Sequence, residues 1–328
     1  MKKKISAIDV AKAAGVSQST VSRVFSAGAN VSLPTKERVL REASRLNYQP
    51  NAIAQSLITR KTNIVGIAVK DIQNPFYHET LAVFTKKLKE RGLNVLFVYT
   101  ENDEVQQEEI NDFLKYNVEG IIVADAFLSS NLVSDLRMNE IPVVLFNRYL
   151  ADTTVNSVSC DNYNAAKNIA KYIFNKGYKK IVFLSGKENT STSQDREKGF
   201  IHFFEEKGIK VEKLKGDYTY ETSYKLINEL VQQKYIPEAI FGANDITAIG
   251  VLDALKKNKI NVPNQSVVIG FDNIKMSSWP TYSLTTWSQP LEIMVEKTID
   301  LLLEKNNHKN PKNIKIKGEF IKRESTEN

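Results

Sequence analysis

Cysteine is nearly missing from this chain. A single residue, Cys160, in 328 positions excludes an internal disulfide framework and a cysteine-rich metal site. Histidine is scarce too: His78, His202 and His308 lie far apart and form no ligand spacing, so neither a metal nor a cofactor is expected. No stretch approaches the roughly 20 apolar residues that span a bilayer. The start, MKKKISAIDVAKAAG, is basic but has no long apolar run behind its charges, so it does not read as a secretory signal, and a cytoplasmic location is expected. The sequence also lacks a P-loop, a GxGxxG after a strand, a GxSxG elbow and an HExxH pair. With no paired catalytic carboxylates and no nucleophile–base set, it is not expected to be an enzyme.

What is present is an uneven distribution of charge. The net charge is +7, yet residues 1–62 alone carry eleven basic against three acidic side chains, a local +8. The remainder is close to neutral. A basic head on a neutral body suggests a polyanion-binding module joined to something else, although a merely solvated basic face has the same composition.

The head reads as three short helices. Ser6 to Asp9 resembles a capping box, Gly15 ends helix one, Ser17 caps helix two, and Ser32 opens helix three with Pro34 in its first turn. In the stretch GVSQSTVSRVF, Val21, Val24 and Phe25 fall on one helical face, expected against Ile8, Ala11 and Ala14. Val39, Leu40, Ala43 and Leu46 form the stripe of helix three. The opposite face of helix two offers Gln18, Ser19, Ser22 and Arg23, short arms plus one guanidinium that can fork onto guanine. Two helices joined by a tight glycine turn, the second polar outward, make a helix-turn-helix. A three-helix head that binds nothing is the plainer alternative.

From Ile64 the pattern changes. Apolar runs such as IVGIAV, NVLFVY, GIIVA, PVVLF, KIVFLS and VVIGF alternate with amphipathic helical stretches, as buried parallel strands in βαβ units do. About 265 residues of this pattern predict two similar lobes. The expected division is a DNA-binding domain at 1–50, a linker or hinge helix at 51–63, and a body at 64–328. Within the body, the N-lobe takes about 64–161 plus 291–321 and the C-lobe about 162–290. The C-terminal tail shows no heptad, which favours a dimer over a larger coiled-coil assembly.

The stretches IDVAKAAGVSQSTVSRVF and VSLPTKERVLREASRLNYQPNAIAQSL resemble the head of the lactose-repressor/galactose-repressor family of bacterial transcription regulators. NIVGIAVKDIQNPFY, VEGIIVA, IPVVLFNR, DREKGF, FGANDITAIG and VVIGFDN follow in family order, so the resemblance spans nearly the whole chain. It implies an all-α helix-turn-helix head on an α/β periplasmic-binding-protein-like body of two Rossmann-like parallel-sheet lobes. It also implies a homodimer on a pseudo-palindromic double-stranded operator, controlled by a small effector, and most naturally a repressor. By that resemblance Gln18, Ser19 and Arg23 read bases, Ser17, Thr20, Ser22 and Tyr48 meet phosphates, and Ala54 and Leu57 form the minor-groove hinge, with Leu57 as the wedge. Ile8 departs from the family pattern, which usually has a polar residue before Asp9.

Ligands of open α/β sheets gather at the carboxyl ends of strands. Asp71 to Tyr77, Asp125, Asn147, Arg148, Asp161, Gly186 to Arg196, Asn244, Asp245 and Asp272 stand there, with Phe76, Tyr77, Tyr218 and Trp287 as candidate stacking faces. Bidentate polar groups beside aromatic rings suit a polyhydroxylated ligand. The resemblance singles out Phe76, Tyr77, Asn147, Arg196, Tyr218, Asn244 and Asp272 for the effector. Plainer roles are open for the rest: Asp245 and Asp161 as helix caps, Arg148 as an interlobe salt bridge. Lys187 is either a phosphate contact or part of a solvated loop. A sugar or sugar derivative is the expected effector. A purine is the alternative, and a non-regulatory sugar-binding protein is the alternative class.

Overall fold

The computed structural model describes residues 5–25, 30–50, 61–70, 72–150, 154–304 and 311–327. Ala54, Leu57 and Asp71 lie outside the described residues. Contacts divide the chain into two compact units, residues 1–63 and 64–328.

In the first unit, helices α1 (Ala7–Ala14), α2 (Gln18–Val24) and α3 (Leu33–Arg45) enclose a small core. Ser6 and Asp9 form a reciprocal capping box, and Gly15 closes α1 at φ 61°. Ser17 caps α2 by accepting from the Thr20 N–H at 3.2 Å. Ser32 starts α3 without a side-chain bond to the backbone; its hydroxyl donates to Thr35 Oγ1 instead. The core is Val10, Ala11, Ala14, Val21, Val24, Val39 and Ala43, with Phe25, Leu46 and Tyr48 packed against it.

Two expected core residues are outside it. Ile8 is 49% exposed because α1 turns Val10, Ala11 and Ala14 inward, about 110° away on the wheel. Leu40 is 41% exposed, since the stripe of α3 centres on Val39 and Ala43.

The second unit is two sheets. The N-lobe sheet has strands β1 (Ile64–Val69), β2 (Asn94–Tyr99), β3 (Gly120–Ala124), β4 (Val143–Phe146), β5 (Asn156–Cys160) and β11 (Asn313–Ile316), in the order β11-β5-β4-β3-β1-β2, with every pairing parallel. The C-lobe sheet has β6 (Ile181–Ser185), β7 (Val211–Lys215), β8 (Ala239–Gly242), β9 (Val267–Asp272), β10 (Thr285–Ser288) and β12 (Glu319–Ile321), in the order β12-β10-β9-β8-β6-β7. There β12 alone runs antiparallel. Most of these strands are buried end to end, as parallel strands covered by helices on both faces must be.

The covering helices are α4 (Pro75–Glu90), α5 (Gln107–Lys115), α6 (Ser130–Met138) and α11 (Leu291–Leu303) on the N-lobe. On the C-lobe they are α7 (Asn162–Asn175), α8 (Ser191–Glu205), α9 (Tyr220–Gln232) and α10 (Asp245–Lys257). The helix-ending glycines Gly92, Gly177 and Gly208 all have φ between 65° and 84°.

The chain changes lobe at Asp161–Asn162, after β10, and at Lys317–Gly318. The expected N-lobe segment 291–321 is therefore too long: Asn313–Ile316 pairs with β5, whereas Glu319–Ile321 pairs with β10 and belongs to the C-lobe. Each first strand sits between the second and third of its lobe. Strand order thus reverses between β1 and β3, and again between β6 and β8, opening a crevice at the carboxyl ends.

Helix α8, which carries part of that crevice, approaches α7 so closely that a Cβ on Gly199 would overlap the Tyr163 carbonyl oxygen. Gly199→Ala is expected to lower unfolding free energy by about 1–3 kcal/mol, the usual effect of overpacking a tight contact. Urea denaturation followed by circular dichroism measures it; an unchanged midpoint would mean the two helices can separate freely.

Candidate functional site

Several of the residues that build the cleft leave their strands in left-handed geometry. Asp125 after β3 has φ 59°, Asn147 after β4 has φ 65°, Tyr218 has φ 64° and Asp272 ending β9 has φ 121°. Such conformations are unfavourable for side-chain-bearing residues and concentrate at ligand sites. The resulting cleft between the lobes holds about 550 Å³ of empty space, part of it open to solvent. All seven residues expected at the effector, Phe76, Tyr77, Asn147, Arg196, Tyr218, Asn244 and Asp272, line it together.

The N-lobe wall is one hydrogen-bonded chain. Asn147 Nδ2 donates to Tyr77 Oη at 3.2 Å, and Tyr77 Oη donates to Asp125 Oδ1 at 2.9 Å. Arg148 Nη2 donates to that same carboxylate oxygen, with its guanidinium 4.8 Å from the Phe127 ring centre. Burial, reinforced by the Asp125 charge, pushes the Tyr77 hydroxyl well above its ordinary pKa. Arg148 is therefore not an interlobe bridge; its carboxylate partner is in its own lobe because both residues leave neighbouring strands. With these bonds made, Asn147 Oδ1 and Arg148 Nε and Nη1 are buried without a partner among the described residues.

The C-lobe wall is organised by Arg196 on α8. Its Nε donates to Asn162 Oδ1 at 2.8 Å and its Nη1 to the Ala243 carbonyl at 2.6 Å. Its Nη2 lies 3.6 Å from Asp272 Oδ1, and the guanidinium lies 3.6 Å from the Phe271 ring centre. Asp272 also accepts from Gln289 Nε2 at 2.7 Å. Burial pushes the Asp272 carboxyl up to about 6 against the opposing pull of Arg196 and Gln289. Tyr218 lies over Gly186, where a Cβ would overlap its ring, and its hydroxyl is 3.3 Å from Thr192 Oγ1.

The cap of α10 is Asn244, not Asp245: Asn244 Oδ1 accepts the Thr247 N–H at 2.9 Å. Asp245 lies one residue into the helix and points under the sheet. There it accepts from Thr286 Oγ1 at 2.5 Å and from the Ile274 N–H at 2.8 Å. Burial and then the charge of Asp272 hold its carboxyl well above the usual range. Asp161 caps α7 through the Asn164 N–H at 3.3 Å.

Trp287 does not line the cleft; it is buried against Phe320, ring centres 6.3 Å apart. Lys187 does line it and reaches Asp103 of the other lobe at 3.7 Å. Gln289 was missed, although it directly follows β10 in TTWSQP, a strand end like the others. Thr192, in the lining, falls inside the expected Gly186 to Arg196 stretch, whereas Asp217 and Thr219, in the lining too, have no comparable signal.

On the head, Gln18, Ser19 and Arg23 are exposed along α2, while Ser17 Oγ lies within 2.9 Å of Ser19 Oγ and Thr20 Oγ1. Tyr48 packs edge-on against Phe25 at 5.8 Å, and burial raises its hydroxyl pKa. Among the described residues no helix is long and apolar enough to cross a membrane, and no cluster of three or more metal-binding side chains occurs.

Both units match family models. Residues 8–51 match that of bacterial regulatory proteins of the lacI family. Residues 62–324 match that of periplasmic binding proteins and the sugar binding domain of the LacI family. The chain belongs to the LacI family and is a DNA-binding transcriptional regulator, not an enzyme. It is 33% identical over 290 residues to catabolite control protein A of Priestia megaterium, covering 86% of this chain and 87% of that one. It is 28% identical over 325 residues to the HTH-type transcriptional repressor PurR of Pasteurella multocida, covering 97% of each. Its fold matches the lac repressor dimer bound to operator and the anti-inducer ONPF, with a TM-score of 0.88 over 99% of both chains at 23% identity.

The Asp272 carboxyl makes stability depend on pH. Its folded value, about 6, lies above the ordinary carboxyl value, so the folded state binds this proton more tightly than the unfolded chain. Its contribution favours folding below the ordinary value of about 4 and is lost as pH rises through the folded value. Relative to Asp272→Asn, the ligand-free protein should lose about 2–3 kcal/mol over that window. Denaturant titrations of both proteins at a series of pH values measure the difference; parallel profiles would refute it.

Proposed function

We propose that this protein is a transcriptional repressor that binds a pseudo-palindromic operator as a homodimer in the cytoplasm and whose effector is a sugar or sugar derivative. The observation that carries the effector reading is the cleft wall itself. Buried amide, guanidinium and carboxylate groups converge from several strand ends, and some donors and acceptors are left over for a ligand that can both donate and accept. Hydroxyl groups do both. Phe76, Tyr77 and Tyr218 offer the apolar surface such a ligand needs.

A purine is the second reading, favoured by the similarity to PurR over 97% of the chain. A flat base would need an open aromatic face. Here Phe76 and Tyr77 meet edge to face at 79°, and the Tyr77 hydroxyl is already held by Asp125.

For DNA, Gln18, Ser19 and Arg23 are assigned to bases and Ser17, Thr20, Ser22 and Tyr48 to phosphates. Ala54 and Leu57 are assigned to the minor groove. The effector acts by binding one arrangement of the lobes better than another, and it shifts operator affinity only by that difference.

Thermal-shift screening of the purified protein against sugars, sugar phosphates and purines tests the effector reading. A ligand selective for the folded state raises the melting temperature. The expected hit is a pentose, hexose or disaccharide, lost in Asp272→Ala while operator binding persists; a hit among purines alone would overturn the sugar reading. For the head, Arg23→Ala should weaken binding to a selected operator by about 1–3 kcal/mol, the value of one bidentate base contact. Equal losses on specific and random DNA in a mobility-shift titration would instead make Arg23 a phosphate contact.

A further inference from the structure

Helix α8 presents two successive charged residues to different partners. Arg196 faces the cleft. Asp195, 9% exposed, turns toward the N-lobe, where each of its oxygens meets a group from that lobe. Tyr149 Oη, three residues beyond β4, donates to Asp195 Oδ1 at 2.9 Å. Lys315 Nζ, on β11, donates to Asp195 Oδ2 at 3.1 Å. The Lys315 ammonium also lies 4.6 Å from the centre of the Tyr149 ring. One turn earlier on the same helix, Ser191 Oγ accepts the Tyr149 backbone N–H at 3.1 Å. The cluster thus joins the two lobes through side chains that are not part of the cleft lining.

We propose that Asp195, Tyr149 and Lys315 form a latch that holds the lobes in this arrangement without any effector, and that its strength sets the resting balance between open and closed forms. Three features separate a latch from ordinary packing. The partners come from opposite lobes and depend on one carboxylate, so a lobe rotation that moves α8 away from β11 breaks both bonds at once. The Lys315 side chain is 36% accessible, so water can replace Asp195 at the ammonium when the bond opens. The bonds are charge-assisted and therefore directional. Because Asp195 and Arg196 are consecutive, any movement of α8 that a cleft ligand causes at Arg196 is transmitted to Asp195 through the helix backbone.

A second interlobe pair, Lys187 with Asp103, spans 3.7 Å at the cleft itself, and Asp103 is already engaged by Lys70. The Asp195 cluster is the better candidate for a ligand-independent hold, since it makes shorter bonds outside the cleft.

The latch can be tested without knowing the effector, so its failure would leave the sugar reading untouched. The probe is single-molecule energy transfer in the full-length protein, with dyes on Lys115→Cys in the N-lobe and Glu206→Cys in the C-lobe, one labelled protomer per particle. Both sites are exposed, and native Cys160 is buried. The ligand-free wild-type distance distribution is expected to be dominated by one closed population. Asp195→Asn, Lys315→Met and Tyr149→Phe should each raise the open fraction, with the two charge-removing variants giving about three- to tenfold increases. Raising NaCl should open the wild type more than Lys315→Met, because the Lys315–Asp195 pair is there to be screened in the wild type alone. Lys87→Met, which breaks an exposed ion pair with Glu296 inside the N-lobe, should change nothing. Circular dichroism confirms that each variant is folded. Distance distributions of folded Asp195→Asn and Lys315→Met that superimpose on wild type would overturn the latch.

Discussion

The placement of one buried cation, Arg196, governs the C-lobe half of the cleft. A guanidinium taken out of water is tolerated only when its donors are satisfied and its charge is opposed. Here Asn162, the Ala243 carbonyl and Asp272 do this, and the Phe271 ring lies under the guanidinium plane. These partners come from α7, the end of β8 and the end of β9. Their relative positions are therefore fixed by a single side chain as well as by the sheet. Removing that side chain would leave Asp272 buried beside Asp245 with no counter-charge in contact.

Much of this arrangement was legible in the sequence. Buried parallel strands read as unbroken apolar runs, and the polar residue that ends each run stands at the crevice by geometry alone. Asn147, Asn244 and Asp272 were identifiable in that way, and so was Asp125. The failures have physical causes. Ile8 and Leu40 are apolar residues at the margins of short helices, where a shift of one position on the wheel exchanges inside for outside. Asp245 and Asn244 are adjacent, and a sequence cannot say which of two capping residues takes the cap. The last lobe crossing depends on strand pairing by two strands of four and three residues separated by Lys317 and Gly318, too short for any periodicity to assign. The latch was out of reach for a different reason: Tyr149, Asp195 and Lys315 are up to 166 positions apart, and their meeting is decided by how two lobes sit together.

The head and the body use polar residues in opposite ways. On α2 the polar side chains Gln18, Ser19 and Arg23 project into solvent over an apolar core of seven small or branched residues, so they are free to meet a surface as large as DNA. In the cleft the polar groups are bonded to one another first. Such prior bonding lowers the entropy lost when a ligand arrives and fixes which atoms remain available. A flexible long-armed lining would bind more ligands less selectively.

The charges of the cleft then bear on what fills it. Arg148 is paired with Asp125, Arg196 with Asp272, and Lys187 with Asp103. The Asp272 carboxyl, near 6, is mainly ionised at neutral pH, and burial and the charge of Asp272 hold the neighbouring Asp245 carboxyl well above the usual range. A ligand phosphate that took Arg148 or Arg196 away from its carboxylate would leave that carboxylate buried and unpaired, which is costly in a low-dielectric site. A neutral hydroxyl can donate to the ionised Asp272 and accept from an unused Arg148 N–H without disturbing either pair. On the proposed sugar reading, keeping both buried pairs intact favours an uncharged hydroxyl at the Arg148 and Arg196 walls.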